Sequence, residues 1–194
     1  MSLPDTLAGK TVAVWCASRD GTGDGFLNIA RQVGAEIANQ HGSVIYGGGG
    51  AGMMGAVADA ALAAGGAVHG VIPASMVERE LAHEGLTRLE VVADMMVRKR
   101  RMLDDADAFL VLPGGIGTLD ELFEALTWNQ LGLHSAGEVK PVVVLNSDGF
   151  YDGLLAWFET AVAGGVVAGE IARPSVATSI EEAVEMLAGS AVRP

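Results

Sequence analysis

The strongest constraint on the fold is an alternation of short apolar runs with longer segments of helical pattern. Runs such as PVVVLN (141–146) are apolar almost throughout, which is typical of strands buried on both faces of a parallel sheet. Strands that alternate with helices through right-handed crossovers predict an α/β fold, a doubly wound parallel sheet of six to seven strands with helices on both faces. The predicted strands lie at 11–18, 43–47, 67–72, 88–92, 108–114 and 141–146, with a short one at 175–177. The predicted helices lie near 24–40, 52–64, 95–105, 119–132, 150–163 and 180–188.

The composition fits a single domain and argues against two classes of partner. Half of the 194 residues are apolar and 19% are charged, so one large core is expected over 1–194. The formal net charge of −12 repels nucleic acids and anionic membranes, and neither is an expected partner. An anionic substrate would therefore need a local group of basic side chains.

Several kinds of chemistry lack their sequence patterns. The single cysteine, Cys16, excludes an intrachain disulfide and a multi-cysteine metal site, and is expected to be a buried strand residue. The four histidines have no metal spacing, and no G-x-S-x-G elbow of a Ser–His–Asp hydrolase is present. None of the three lysines resembles the buried Schiff-base lysine that pyridoxal phosphate requires.

The first residues predict no export signal. The segment MSLPDTLAGKTVAVWCAS has no basic region followed by a long apolar run. The apolar stretch 53–77 is interrupted by Gly65, Gly66 and Pro73, so it predicts a helix and a buried strand rather than a membrane span. A cytoplasmic protein is expected.

A glycine-rich loop, GGGGAGMMG (47–55), follows the second predicted strand. Ligands of doubly wound sheets bind beyond the carboxyl ends of the strands, so this loop and Ser18, at the end of the first strand, are candidate contacts. The loop contains G-x-G-x-x-G, the pattern of a dinucleotide site. It follows the second strand instead of the first, however, and no acidic residue stands about 20 positions on to hold a ribose. A loop that lets a nucleotide approach the backbone at Gly47 and Gly48 is favoured over an NAD(P) site.

The segment MMVRKRRM (95–102) concentrates four of the 12 basic residues. On a helix these four side chains are about 100° apart, so they cannot all face one ligand. Asp94 is the expected N-cap, which places Arg98 about one turn from the helix start, where its planar fork can bind a phosphate or a carboxylate. Arg100 and Arg101 are expected on a solvated face.

The segment LPGGIGTLDE has two interpretations. Thr118 and Glu121 fit a capping box, in which the threonine caps a helix and the glutamate bonds back to it. A cap does not require the glycines Gly114, Gly115 and Gly117, whose N–H groups can form an anion cradle. If the preceding helix brings its arginine to the same cleft, then cradle, carboxylate and guanidinium together describe a site for a phosphorylated substrate.

These segments together resemble the LONELY GUY family, whose members are often mislabelled as lysine decarboxylases. The resemblance runs from about residue 11 to 160 and is carried by MMVRKRRM, PGGIGTLDELFEALTWNQLGLH, VIYGGGGAGMMGAVADAAL and VIPASMVERE. It implies a nucleoside 5′-monophosphate phosphoribohydrolase, which releases an adenine-type base, notably a cytokinin, and ribose 5-phosphate. It also implies a Rossmann-like homodimer with no metal and no organic cofactor.

The resemblance also implies roles for individual residues. Arg98 and Glu121 fall on the family's proposed catalytic pair. The chain departs from the family at CASRDG (16–21), where a small-residue turn is usual, and Arg19 is expected to alter how this edge of the nucleotide is held. The positions that fall on substrate contacts of the family are Glu80, Lys99, Gly115, Ile116, Gly117, Thr118 and Thr127.

The residues suggest a mechanism for that hydrolysis. Cleavage of the N-glycosidic bond builds oxocarbenium character at the ribose C1′, so Glu121 is expected to stabilise that charge and to orient or deprotonate the water. The N–H groups of 114–118 would hold the 5′-phosphate, and Arg98 would position the substrate and polarise the departing base. The alternative is a non-catalytic carrier of a phosphorylated pterin-like cofactor, because related carriers share the fold and the glycine pattern.

Overall fold

The computed structural model describes residues 7–77, 82–167 and 173–189 and contains a sheet of seven strands. The strands are β1 (Thr11–Trp15), β2 (Ser43–Tyr46), β3 (Val68–Pro73), β4 (Arg88–Val92), β5 (Ala108–Val111), β6 (Val142–Leu145) and β7 (Ser175–Ala177). Their order is β4-β3-β2-β1-β5-β6-β7, and every neighbouring pair is parallel. The predicted doubly wound sheet is confirmed, including the short last strand.

Helices cover both faces of this sheet. They are α1 (Gly25–Asn39), α2 (Gly52–Ala63), α3 (Met95–Asp105), α4 (Ile116–Leu131), α5 (Asp152–Ala163) and α6 (Ile180–Ala188). The side chains of β1 alternate between the two layers: Val12 and Val14 pack with α1, α2 and α6, and Ala13 and Trp15 pack with α3, α4 and α5. Apolar side chains on both faces of the strands thus supply the two halves of the core. Within the described ranges, none of the helices has the length and apolar character needed to cross a membrane.

The strand order reverses at β1. The sheet grows from β1 to β4 on one side and from β5 to β7 on the other, so the crevice beyond β1 and β5 is the switch point where such folds bind ligands. Trp15 pairs with Val111 at this end, and the Ala17 N–H donates to the Pro113 carbonyl at 3.2 Å. The loops after these two strands therefore leave the sheet side by side.

Helix α4 begins three residues earlier than predicted, at Ile116. Gly115 is its N-cap residue, and the Gly115 carbonyl accepts the Leu119 N–H at 3.1 Å, as the first turn requires. The capping-box interpretation is therefore wrong: Thr118 is the third residue of the helix and Glu121 lies in its second turn. A glycine N-cap has no side chain to bond the first N–H groups, so those groups have no acceptor within the helix.

Candidate active site

A pocket of about 680 Å³ opens at the switch point, beyond β1 and β5. The loops after β1 and β2 contribute Ser18 and Gly47, and the first turns of α3 and α4 contribute Arg98 and Thr118. The volume is within the range of about 300–1,000 Å³ that is typical of small-molecule sites. The prediction that these strand-end loops meet is confirmed.

The pocket brings together most of the residues that the sequence assigned to the site. Gly48, Gly114 and Thr127 do not line it. Thr127 is exposed on α4, and its hydroxyl donates to the Phe123 carbonyl at 2.7 Å. Glu80 lies outside the described residues. The assigned residues that do line the pocket are Ser18, Gly47, Arg98, Lys99, Gly115, Ile116, Gly117, Thr118 and Glu121.

Arg98 is buried in the first turn of α3. Asp94 caps this helix as predicted, since its Oδ1 accepts the Val97 N–H at 2.9 Å and its carbonyl accepts the Arg98 N–H at 3.1 Å. The guanidinium packs over the Cα of Gly47, and its Nη1 lies 3.8 Å from the sulfur of Met95. Arg98 is only 7% exposed, yet it lines the pocket. A buried arginine at a pocket wall is poised to bind a group that enters it.

The two arginines that follow lie on the outer side of α3, as predicted. Arg100 pairs with Asp104 at 2.7 Å and lies over the ring of Trp128. Arg101 pairs with Glu90 at 3.0 Å. Neither lines the pocket, so the basic run divides into site residues and surface residues.

Lys99 is held by two carboxylates of α4. Its Nζ lies 3.0 Å from Asp120 Oδ2 and 3.0 Å from Glu124 Oε2. Burial lowers the pKa of Lys99, but the two hydrogen bonds outweigh that effect and the net shift is upward. Lys99 is therefore charged at neutral pH, and its charge is compensated before any substrate binds. These ion pairs also fix the start of α3 against α4.

Gly48 and Gly114 shape the loops around the pocket. Gly48 has a φ of +80°, a left-handed conformation that favours glycine. A Cβ on Gly114 would lie 2.6 Å from the Cβ of Thr118, so the glycine lets Thr118 pack closely. The Tyr151 hydroxyl donates to the Leu112 carbonyl at 2.7 Å and ties the loop after β5 to the start of α5. Gly114 does not line the pocket, so the anion cradle is left to the N–H groups that follow it.

Glu121 lines the pocket close to Cys16. Burial raises the pKa of the Cys16 thiol, and the negative charge of Glu121 raises it further. Cys16 is therefore a protonated thiol at neutral pH and supplies no thiolate nucleophile. Cys16 is buried, as expected, but it is not a strand residue, because β1 ends at Trp15 and Cys16 begins the loop that follows.

An apolar wall of the pocket was not predicted from the sequence. It includes Trp15, Met54, Met76 and Met95. Trp15 ends β1, and Met54 and Met95 lie in the first turns of helices that follow strand-end loops. That position is the signal that could have identified them, because such residues face the carboxyl edge of the sheet. Methionine side chains adapt to irregular apolar groups, and an aromatic ring offers a flat surface for stacking.

The arrangement allows a definite kind of chemistry. The open start of α4 presents N–H groups and a helix dipole that are suited to an anion. The Glu121 carboxylate and the Arg98 guanidinium line the same cavity and can stabilise opposite charges on the two sides of a breaking bond. Over the ranges 7–77, 82–167 and 173–189, no three His, Cys, Asp or Glu side chains are grouped so as to hold a metal ion.

The sequence is similar to proteins of named activity. A family described as "Possible lysine decarboxylase" matches residues 54–188. A cytokinin riboside 5′-monophosphate phosphoribohydrolase of Rhodococcoides fascians is 44% identical over 177 residues, which cover 90% of this chain and 87% of that protein. A protein with the same enzyme name from Arabidopsis thaliana is 42% identical over 158 residues, which cover 81% of this chain and 71% of that protein.

Solved structures share the fold at lower identity. The molybdenum cofactor carrier protein of Chlamydomonas reinhardtii matches with a TM-score of 0.66 and 21% identity, covering 93% of this chain and 99% of that chain. The molybdenum cofactor binding protein of Rippkaea orientalis matches with a TM-score of 0.65 and 24% identity, covering 96% of both chains. Likeness at these identities shows the fold alone.

Proposed function

The chain belongs to the family described as possible lysine decarboxylases, which is the LONELY GUY family, and on that premise we propose that it is a cytokinin-type nucleoside 5′-monophosphate phosphoribohydrolase. It hydrolyses the N-glycosidic bond of a purine ribonucleoside 5′-monophosphate to free base and ribose 5-phosphate. The observation that carries this conclusion is that the open start of α4, Glu121 and Arg98 meet in one pocket.

The phosphate end of the substrate is assigned to the start of α4. The N–H groups of Ile116, Gly117 and Thr118 lack acceptors within the helix, and the helix dipole favours an anion at this end. Gly115 is the extended N-cap residue before them, and a Cβ built on it would meet nothing within 4 Å, so the space in front of the helix start is open. The phosphate anchors the ribose so that its C1′ lies deeper in the pocket.

Glu121 and Arg98 act on the bond between C1′ and the base. As that bond breaks, positive charge grows on the ribose ring and negative charge grows on the leaving base. The Glu121 carboxylate stabilises the sugar cation and orients or deprotonates the attacking water, which adds to C1′. The Arg98 guanidinium positions the substrate and offsets the charge of the leaving base. The bond electrons stay with the base, which then takes up a proton.

The base is assigned to the apolar wall. Met54, Met76 and Met95 provide flexible apolar surface, and the buried ring of Trp15, stacked on Phe109, supports this wall from behind. A purine with an apolar substituent would exclude water from this wall on binding. Such exclusion strengthens the electrostatic action of Glu121 on the sugar.

A carrier of a phosphorylated pterin-like cofactor is the weaker alternative. The molybdenum cofactor carrier and binding proteins match at 20–24% identity, which shows the fold alone. The relatives at 40–44% identity are named as phosphoribohydrolases. The carboxylate and guanidinium in the pocket also favour bond cleavage over simple carriage.

Chromatography of free base separates the two functions. Wild-type protein is incubated with AMP, with isopentenyladenosine 5′-monophosphate and with adenosine. The enzyme is expected to release base from the monophosphates at least about tenfold faster than from adenosine, since adenosine lacks the anion that the N–H groups bind. Binding of a phosphorylated pterin with no base release from any nucleotide would favour the carrier. Equal rates with AMP and adenosine would show that the start of α4 does not hold phosphate.

We further propose that the chain acts as a cytoplasmic homodimer. Exposed apolar side chains cluster at the first turns of α3 and α4: Met96 is 67% exposed, Val97 44% and Ile116 85%. A second copy of this chain is a suitable partner, because exposed apolar surface beside a pocket favours association. Light scattering of wild-type protein and of Met96→Lys tests the assembly, and cell fractionation tests the location.

A further inference from the structure

Arg19 lies at the rim of the pocket, on the loop that follows β1. The Ala17 N–H donates to the Pro113 carbonyl, so the chain after β1 runs beside the chain after β5. Arg19 comes two residues after Ala17, and Gly115, the N-cap of α4, comes two residues after Pro113. The loop of Arg19 and the phosphate-binding start of α4 are therefore neighbours across the switch point.

The glycine loop fixes the backbone of Arg19 from its other side. A Cβ on Gly52 would lie 2.5 Å from the carbonyl carbon of Ser18 and 2.6 Å from the backbone nitrogen of Arg19. Only a residue without a side chain allows this contact. The Arg19 backbone thus packs against Gly52, while its side chain is exposed.

Among the residues that the structure describes, three cationic side chains line the pocket, and each is held in a different way. Arg98 is buried over Gly47, and Lys99 is paired with Asp120 and Glu124. For Arg19, no hydrogen bond or ion pair to another residue of the described ranges is present. In a chain of net charge −12, an exposed arginine that has no carboxylate partner within those ranges and lies beside a helix start is suited to an anion from solution.

We propose that Arg19 binds the 5′-phosphate from the solvent side while the N–H groups of α4 bind it from the protein side. This proposal rests on the proposed function and assigns to Arg19 the selection of phosphorylated over unphosphorylated nucleosides. Arg19 stands away from the reacting bond in this role. It therefore governs substrate affinity and leaves the rate of bond cleavage in the bound state unchanged.

Kinetics and binding of Arg19→Ala test the proposal, with Arg31→Ala as the matched control. Arg31 is an exposed arginine on α1, bonded to Asn28 and outside this pocket, so its removal changes the net charge equally. Arg19→Ala is expected to raise KM for AMP about tenfold or more, with kcat within about twofold, because a charge-assisted hydrogen bond is lost. The kcat/KM for adenosine should not change. Arg19→Lys should restore affinity in part, since it keeps the charge without the planar fork.

Calorimetric titration with ribose 5-phosphate distinguishes failure of this proposal from failure of the proposed function. If the wild type hydrolyses AMP and Arg19→Ala binds ribose 5-phosphate as tightly as Arg31→Ala, the role of Arg19 is wrong and the enzyme assignment stands. If the wild type hydrolyses no nucleotide but Arg19→Ala alone loses affinity for ribose 5-phosphate, the role of Arg19 stands and the enzyme assignment is wrong. A loss that is equal for AMP and adenosine also overturns the proposal.

Discussion

The guanidinium of Arg98 occupies the space that a side chain on Gly47 would need. A Cβ built on Gly47 would overlap Nη2 of Arg98 and lie 3.0 Å from its Cζ. The sulfur of Met54 would lie 3.2 Å away on another side. Gly47 therefore sets the position of a proposed catalytic side chain by having none of its own.

Gly47→Ala is expected to lower kcat/KM for AMP by about tenfold to a hundredfold, because misplacement of a reacting group by about 1 Å has costs of that order. The fold should persist, since Arg98 can move into the pocket. Gly153→Ala is the matched control, because a Cβ at Gly153 meets nothing within 4 Å. The double variant Gly47→Ala/Arg98→Ala should be no worse than Arg98→Ala alone. Additive losses in that double variant would mean that Gly47 acts on the substrate directly.

The relation of Gly47 to Arg98 could not be derived from the sequence. The periodic apolar pattern located all seven strands and six helices, because buried strands and amphipathic helices are encoded by neighbouring residues. Gly47 lies in the loop after β2 and Arg98 lies in α3, so their distance depends on how the connections that carry them pack together on the sheet. The sequence placed Gly47 and Arg98 at the same edge of the sheet but gave no distance between them.

The start of α4 shows a different limit. The letters T-L-D-E match a capping box whether the threonine precedes the helix or lies inside it. Gly115 takes the N-cap position with no side-chain bond, and Gly114 before it packs closely against Thr118 inside the helix. Local pattern identified the right segment, and tertiary packing shifted the helix start within it.

Glu121→Gln tests the proposed catalytic carboxylate. Glu121 lies in the second turn of α4, beyond the N-cap, and glutamine keeps its size and shape, so the variant should remain folded, as circular dichroism would check. We expect kcat to fall by about a hundredfold to a thousandfold, because charge stabilisation in the transition state is lost. Glu185→Gln, an exposed carboxylate on α6, should retain full activity. Near-normal turnover by Glu121→Gln would contradict the mechanism.

Variants at Arg98 and Arg100 compare a pocket residue with a surface residue of the same helix, α3. Arg98→Ala should lose most activity, and Arg98→Lys should recover little of it because lysine lacks the planar fork. Arg100→Ala removes an exposed side chain that lies outside the pocket, so its kcat and KM should match the wild type. A lower kcat in Arg98→Ala would indicate action on the leaving base, and a higher KM alone would indicate substrate positioning. Equally small changes in kcat and KM for Arg98→Ala and Arg100→Ala would mean that Arg98 has only a structural role.

His134 makes stability depend on pH at a place remote from the pocket. It is 4% exposed and lies between the rings of Phe109 and Trp128, with centroids 5.7 and 5.4 Å away. Burial, followed by the charge of Lys140, lowers the pKa of His134 from 6.5 to about 4. Between about pH 6.5 and about pH 4 the unfolded chain therefore binds a proton that the folded chain does not. The stabilisation from the neutral ring is complete above that interval and is lost as pH falls through it.

Urea unfolding of the wild type and of His134→Leu at about pH 7.5 and about pH 5 measures this effect. The wild type is expected to lose about 2 kcal/mol more than the variant between the two pH values, because protonation of the unfolded histidine drives unfolding only where the histidine is present. The same slope in the wild type and in His134→Leu would mean that another group carries the acid sensitivity. A slope that disappears only in His134→Leu assigns it to this ring, since the variant leaves the carboxylates of the pocket untouched.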